Sequence, residues 1–183
     1  MKKFKKANYL VTGAWSEAAA AEAKKFGTVV EVSEKAKVFQ GLPDPAKWTV
    51  AEDADYFHYC ENETVHGVEV LDFPFDKVPK GMTIVCDMSS NFCSKEIDWS
   101  KYGVVYAGAQ KNLGPAGVCV LVIREDLIGW EMPETPLLCS WKTFAKAPQT
   151  YHNTPCCWAI YVMGLNLKYM KEKGFDKIKE EAK

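Results

Sequence analysis

The sequence predicts an α/β fold: a mostly parallel sheet with helices on both faces. Three observations point there. Short, nearly continuous apolar runs recur along the chain, as strands buried on both faces require. Segments with helical spacing and helix-start signals are mixed among them. Three of the apolar runs lead into a polar residue, Thr64, Asp87 or Lys111. In such sheets ligands sit beyond the carboxyl ends of the strands.

Residues 10–13 end a short extended segment. Ser16 then caps an alanine-rich helix running over 18–25, with Gly27 as its stop signal. Residues 28–32 are rich in β-branched side chains and read as a strand. Pro43, Asp44 and Pro45 punctuate a loop. Residues 56–60 form a buried strand followed by the polar run 61–64. Residues 82–86 form another, ending at Asp87. A third covers 103–107 and leads into Gly108, Ala109, Gln110 and Lys111. A fourth covers 118–123, after which Arg124 begins a charged turn. An amphipathic helix runs from Pro155 to about Lys173, because proline suits the first helical position.

Composition narrows the function. The chain has 183 residues, 48% hydrophobic, 13% aromatic and 26% charged, with a formal net charge of −1. That suits one ordinary domain with a real core and excludes a disordered chain. No apolar run approaches the roughly 20 residues of a membrane span. No global basic field suggests nucleic acid. Of 23 basic residues only Arg124 is an arginine. A protein that clamps anions would use several, because the guanidinium binds carboxylate or phosphate through paired hydrogen bonds.

The cysteines at 60, 86, 93, 119, 139, 156 and 157 are odd in number, with no CxxC pair. They read as reduced, buried thiols rather than a disulfide framework or a zinc site. Residues 1–7 form a basic, solvated lead-in, and the apolar stretch after them is too short and polar for a signal peptide. The expected location is the cytoplasm.

Asp87 and Lys111 bear the chemistry. An ion pair is the plain reading of such residues. Two features favour another. Lys111 lies in a loop containing Gly108, Gly114 and Gly117, where backbone can approach a ligand. Asp87 directly follows an apolar strand, where an unpaired carboxylate would be costly and a cationic ring nitrogen would satisfy it. Pyridoxal phosphate needs these two groups: a lysine amine that bonds to its aldehyde, and an acid beside its pyridine nitrogen.

Five segments make the resemblance specific: 11–16 (VTGAWS), 62–68 (NETVHGV), 86–91 (CDMSSN), 108–112 (GAQKN) and 152–155 (HNTP). In order and content they resemble the phosphoserine aminotransferases, class-V, fold-type I pyridoxal-phosphate enzymes. The similarity extends from about Asn8 onward. It implies that Lys111 is the lysine joined to the cofactor and Asp87 the pyridinium partner. Trp15 corresponds to the aromatic stacked on the ring, and Thr64 to the residue near its hydroxyl. Gln110 corresponds to a phosphate contact. Asn153 and Thr154 correspond to a pair reaching that phosphate from a neighbouring subunit; by themselves they would read as a helix N-cap. The family transfers an amino group between glutamate and 3-phosphohydroxypyruvate, in serine biosynthesis, as a homodimer with shared active sites.

No metal site is expected. His58 has a structural or surface role, while His66 and His152 lie near the site in this reading. Cys60 and Cys93 also lie near it, but nothing marks either as a reactive thiol.

The resemblance also shows departures. A family member is roughly twice as long. Residues 8–150 correspond to a partial large cofactor domain and 151–183 to the long helix leaving it. The glycine-rich amino-terminal segment and the small carboxy-terminal domain, with its substrate-binding arginines, have no counterpart. Arg124 is expected at the surface. Cys156 and Cys157 follow Pro155 where the family has a double proline. Two functions fit: an aminotransferase cofactor domain, or a non-catalytic remnant that binds cofactor or pairs with a full-length subunit. A plain interaction domain would leave the five motifs unexplained. The shortening should also expose apolar surface.

Overall fold

The computed structural model describes residues 5–181. The chain divides into two compact units: Met1–Met88 with Trp99–Val105, and Ser89–Asp98 with Tyr106–Lys183.

In the first unit β1 (Lys6–Tyr9) leads into α1 (Ala14–Ala23) and returns as β2 (Thr28–Glu31). β1 pairs in parallel with β2 and, on its other edge, with β3 (Tyr56–Cys60). The hairpin of β4 (Asn62–Glu63) and β5 (Val68–Glu69) comes next. β6 (Thr83–Asp87) then pairs in parallel with β3, placing Cys60 opposite Asp87. These four parallel strands run in the order β2-β1-β3-β6. Their shared direction gathers the carboxyl ends of β1, β3 and β6 on one edge.

One part of the core joins Ala7, Tyr9, Val11 and Ala20, with Ala19, Ala23 and Val29 against them. The alanines give α1 a smooth face that packs without large side chains. Phe57 and Tyr59 of β3 pack against Phe73, whose ring lies 4.1 Å from that of Tyr59 at 14°. Such stacked rings bury a large apolar area with fixed geometry.

β7 (Val104–Gly108) begins in the first unit and ends in the second. The second unit continues with β8 (Cys119–Ile123), α2 (Trp141–Lys146), α3 (Cys157–Lys173) and α4 (Phe175–Glu181). Gly174, with φ 83°, separates the last two. Gly114 packs on the backbone of Met163 of α3, where a Cβ would approach its Cα to 3.1 Å.

Several expectations need correction. The lead-in is not solvated throughout: β1 starts at Lys6 and Ala7 is fully buried; residues 1–4 lie outside the described residues. Ladder pairing with β2 and β3 outweighs the basic flank. Ser16 does not cap α1, which begins at Ala14, and Gly27 lies beyond its end at Ala23. Of the seven thiols only Cys60 and Cys86 are buried; Cys119, Cys139, Cys156 and Cys157 are exposed, and all are free. No residue of β8 is buried. Apolarity makes a strand, but burial needs a complete covering layer, and Leu121 and Val122 remain 38% and 39% exposed. Likewise α3 starts at Cys157, two residues past Pro155, and buries only Ala159. Residues 151–181 hold two helices rather than one, broken by Gly174. No helix among the described residues is long and apolar enough to cross a membrane.

Candidate active site

The first backbone N–H groups of a helix have no partner within it. In α1 they are met from elsewhere in the chain. The Ala14 N–H donates to Nδ1 of His66 at 3.2 Å. The Trp15 N–H donates to Oε2 of Glu63 at 2.9 Å, and the Ser16 N–H to Oε1 at 2.7 Å. Ser16 faces the other way, its Oγ accepting from Thr12 N–H at 2.9 Å and Gly13 N–H at 3.2 Å. The serine therefore closes the turn ahead of the helix, while Glu63 caps the helix itself.

Glu63 has 0% exposure. A buried carboxylate is tolerated when N–H donors and the positive helix end compensate it. Gly13 makes the room: a Cβ there would lie 2.5 Å from Cδ of Glu63. The consequence falls on Trp15. Its N–H is held, while the residue remains 48% exposed.

Thr64 comes directly after Glu63 and is exposed. Its turn closes through the Gly67 N–H, which donates to the Glu63 carbonyl at 2.8 Å. Asp87 ends β6, and its carbonyl accepts the Glu61 N–H at 2.9 Å. Trp15, Thr64 and Asp87 thus belong to one hydrogen-bonded framework beyond β1, β3 and β6.

His58 is buried, not at the surface, and stacks on Tyr9 with ring centroids 4.7 Å apart. Burial lowers its pKa to about 4, with the Asp87 carboxylate opposing, so it is neutral near pH 7. Burial pushes the Cys60 thiol well up, and the Asp87 and Glu63 carboxylates push it further. It is a poor nucleophile.

In the second unit, Gln110 and Lys111 lie just past β7 and are exposed. Their loop is tied at several points. The Ala109 N–H donates to the Val118 carbonyl at 2.9 Å, and the Gly114 N–H to the Ala109 carbonyl at 2.7 Å. Asn112 Nδ2 donates to the Phe92 carbonyl at 2.6 Å. Asn166 Nδ2 of α3 donates to the carbonyls of Asn112 at 3.0 Å and Leu113 at 2.9 Å. The Gly108 N–H donates to Ser89 Oγ at 3.0 Å, and a Cβ on Gly108 would meet Gln110 Oε1 at 2.6 Å. The glycine gives Gln110 its place.

Asn153 and Thr154 are exposed ahead of α3. Asn153 Nδ2 donates to the Thr154 carbonyl at 3.3 Å. They are not the N-cap, which is Cys156. Arg124 is exposed and ion-paired with Asp126 at 2.5 Å. Among the described residues no cluster of His, Cys, Asp or Glu could hold a metal.

Glu63 is the residue that sequence reasoning missed, taking it as part of a polar run. One signal was available: Gly13 precedes a helix yet has no side chain to cap it, so the cap must come from a distant segment.

Comparison with known proteins is consistent with this architecture. The class-V aminotransferase family profile matches residues 1–183. The phosphoserine aminotransferase of Drosophila melanogaster is 46% identical over 168 residues, 92% of this chain and 45% of that protein. That of Laribacter hongkongensis is 42% identical over 170 residues, 92% of this chain and 46% of that protein. Among solved structures, phosphoserine aminotransferase from Bacillus circulans subsp. alkalophilus superposes with a TM-score of 0.89 at 34% identity, covering 98% of this chain and 49% of that one. The PLP-bound phosphoserine aminotransferase from Trichomonas vaginalis gives 0.89 at 35%, covering 98% and 50%. The chain therefore spans about half the length of these relatives.

Proposed function

The chain belongs to the class-V aminotransferase family, and on that premise we propose that it is the cofactor-holding part of a phosphoserine aminotransferase. It binds pyridoxal phosphate and serves amino transfer between glutamate and 3-phosphohydroxypyruvate. The observation that supports this most is the framework fixing Trp15, Thr64 and Asp87 beyond three parallel strands, in a chain 46% identical to a phosphoserine aminotransferase.

The residues present fit the cofactor. Trp15 offers a half-exposed indole, Asp87 a carboxylate at a strand end, and Gln110 an exposed amide whose place Gly108 provides. When bound, pyridoxal phosphate supplies an electron-withdrawing ring that stabilises negative charge on the substrate α-carbon. Trp15 stacks on that ring and sets its plane. Thr64 orients it at the hydroxyl side. Asp87 holds the proton on the pyridine nitrogen. Gln110, together with Asn153 and Thr154 of a second subunit, binds the phosphate. Lys111 would hold the cofactor through its Nζ and would carry the proton to and from the substrate α-carbon. The chain acts as a homodimer in the cytoplasm, with glutamate and a phosphorylated oxo acid as substrates.

One observation favours a second reading, a remnant that binds cofactor without turnover. Arg124, the sequence's single arginine, is paired with Asp126, so its guanidinium is engaged there rather than on a substrate carboxylate.

The test is addition of pyridoxal phosphate to the purified chain. A visible absorbance band, lost in Lys111→Ala, and borohydride fixation of the cofactor on Lys111 by mass spectrometry are expected. No lysine-dependent band would sink the cofactor role. A band without amino transfer from glutamate selects the second reading, and a monomer by light scattering removes the shared site.

A further inference from the structure

We infer that Glu63 is a positioning residue for the cofactor-stacking tryptophan: its buried carboxylate holds the backbone of Trp15 and so places the Cα from which the indole extends. The inference rests on the proposed pyridoxal-phosphate site. No resemblance or motif assigns Glu63 this task; its geometry does.

The two carboxylate oxygens are divided between two N–H groups, Trp15 at 2.9 Å and Ser16 at 2.7 Å. Two donors on one rigid, planar acceptor fix a direction as well as a distance. The acceptor itself is immobilised. It is fully buried, hemmed in by Gly13, and its backbone is locked by the turn in which the His66 and Gly67 N–H groups donate to its carbonyl at 3.2 and 2.8 Å. His66 closes the frame by accepting the Ala14 N–H. The same residue therefore holds the start of α1 through its side chain and carries Thr64 through its backbone. Trp15 and Thr64 are 49 positions apart in sequence, yet Glu63 makes them one unit. The carboxylate also sits at the positive end of the helix.

Trp15 is 48% exposed, so its place depends on how the start of α1 is held as well as on what packs against it. A buried structural acid would stabilise α1 equally in the presence or absence of the indole. A positioning acid acts on the cofactor only through the indole.

A double-substitution cycle separates these, read as cofactor affinity from the visible band and from quenching of tryptophan fluorescence. Glu63→Gln presents an NH2 group to one N–H and is expected to weaken affinity about tenfold, the scale of one charged hydrogen bond. In a Trp15→Ala background the same substitution should change affinity by no more than about twofold. An equal loss in both backgrounds overturns the inference. Asn8→Ala removes buried hydrogen bonds to the Ala51 backbone and contacts neither Glu63 nor Trp15; it should lower thermal stability but leave affinity within about twofold, and an equal loss of affinity there also overturns the inference. Should Glu63→Gln not fold, amide exchange in the unaltered chain decides. Protection of the Trp15 N–H must rise on cofactor addition, and unchanged protection overturns the inference. If the unaltered chain takes up no cofactor, the proposed function fails and this inference with it; if it binds and the cycle is additive, only the inference fails.

Discussion

The side-chain amide of Asn166 donates to the carbonyl of Leu113 at 2.9 Å, and the same nitrogen reaches the Asn112 carbonyl at 3.0 Å. One residue of α3 thus fixes the loop that presents Lys111. Leu113 is fully buried, so water cannot replace this donor at its side.

Asn166→Leu keeps the approximate volume and removes the donor. Leaving buried carbonyls unsatisfied should destabilise the chain by about 1–3 kcal/mol. Thermal melting checks this, at roughly 2–4 °C per kcal/mol for a chain of this size. The visible cofactor band should weaken in parallel, because Lys111 loses its anchor.

Gly13 and Gly108 make an informative pair, since a Cβ at either meets another side chain at close to 2.5 Å. At Gly13 the neighbour is buried and pinned. Gly13→Ala should therefore cost about 1–3 kcal/mol in a denaturant titration, the range of an overpacked site. At Gly108 the neighbour is the exposed end of Gln110, which can swing away. Gly108→Ala should hold stability within about 0.5 kcal/mol while weakening cofactor binding. A stability loss at Gly108 matching that at Gly13 would refute the distinction.

His58 makes stability depend on pH. Its folded pKa of about 4 lies below the ordinary value of 6.5. Between those values the unfolded chain binds the proton and the folded chain does not, so stability falls as pH drops from 6.5 towards 4. Above that window the contribution is fully present; below it the loss saturates at about 3 kcal/mol. Urea midpoints at several pH values should show this slope, and His58→Gln should flatten part of it.

The thiols should divide into classes under a thiol reagent. Cys119, Cys139, Cys156 and Cys157 are exposed and should react in the folded chain. Cys60 and Cys86 are buried and their thiols are pushed well up, so they should stay silent until denaturant is added. Rapid labelling of Cys86 in the native protein would contradict its burial beneath the sheet's side chains.

Much of the framework was legible in the chain. Residues 56–60 read as a strand because three aromatic residues run together with a histidine and a cysteine, and β3 occupies that span. Residues 28–32 and 82–86 were displaced by one residue at most at each end, because β-branched runs report strand formation but not the last ladder bond. Local pattern failed where burial and capping depend on partners. The run at 61–64 is polar, yet Glu61 and Glu63 are buried. The 118–123 run looked buried because it is apolar, yet β8 is not. Ser16 has the chemistry of an N-cap and sits in the third turn position instead, because the cap arrives from another segment.

By itself the sequence placed the end of the first extended segment at 10–13, where the strand is Lys6–Tyr9, and missed the hairpin of β4 and β5. It indicated the strands at 28–32, 56–60, 82–86, 103–107 and 118–123 and the chemical groups at Trp15, Thr64, Asp87, Gln110 and Lys111. Those come from side-chain type and short-range order, which a linear chain displays directly. Only the tertiary structure decided what holds them. Trp15 and Glu63 are 48 positions apart, and their hydrogen bond exists because parallel pairing of β1 with β3 brings the two turns together. Such a bond is set by strand register and by the missing Cβ of Gly13, neither of which any local pattern records.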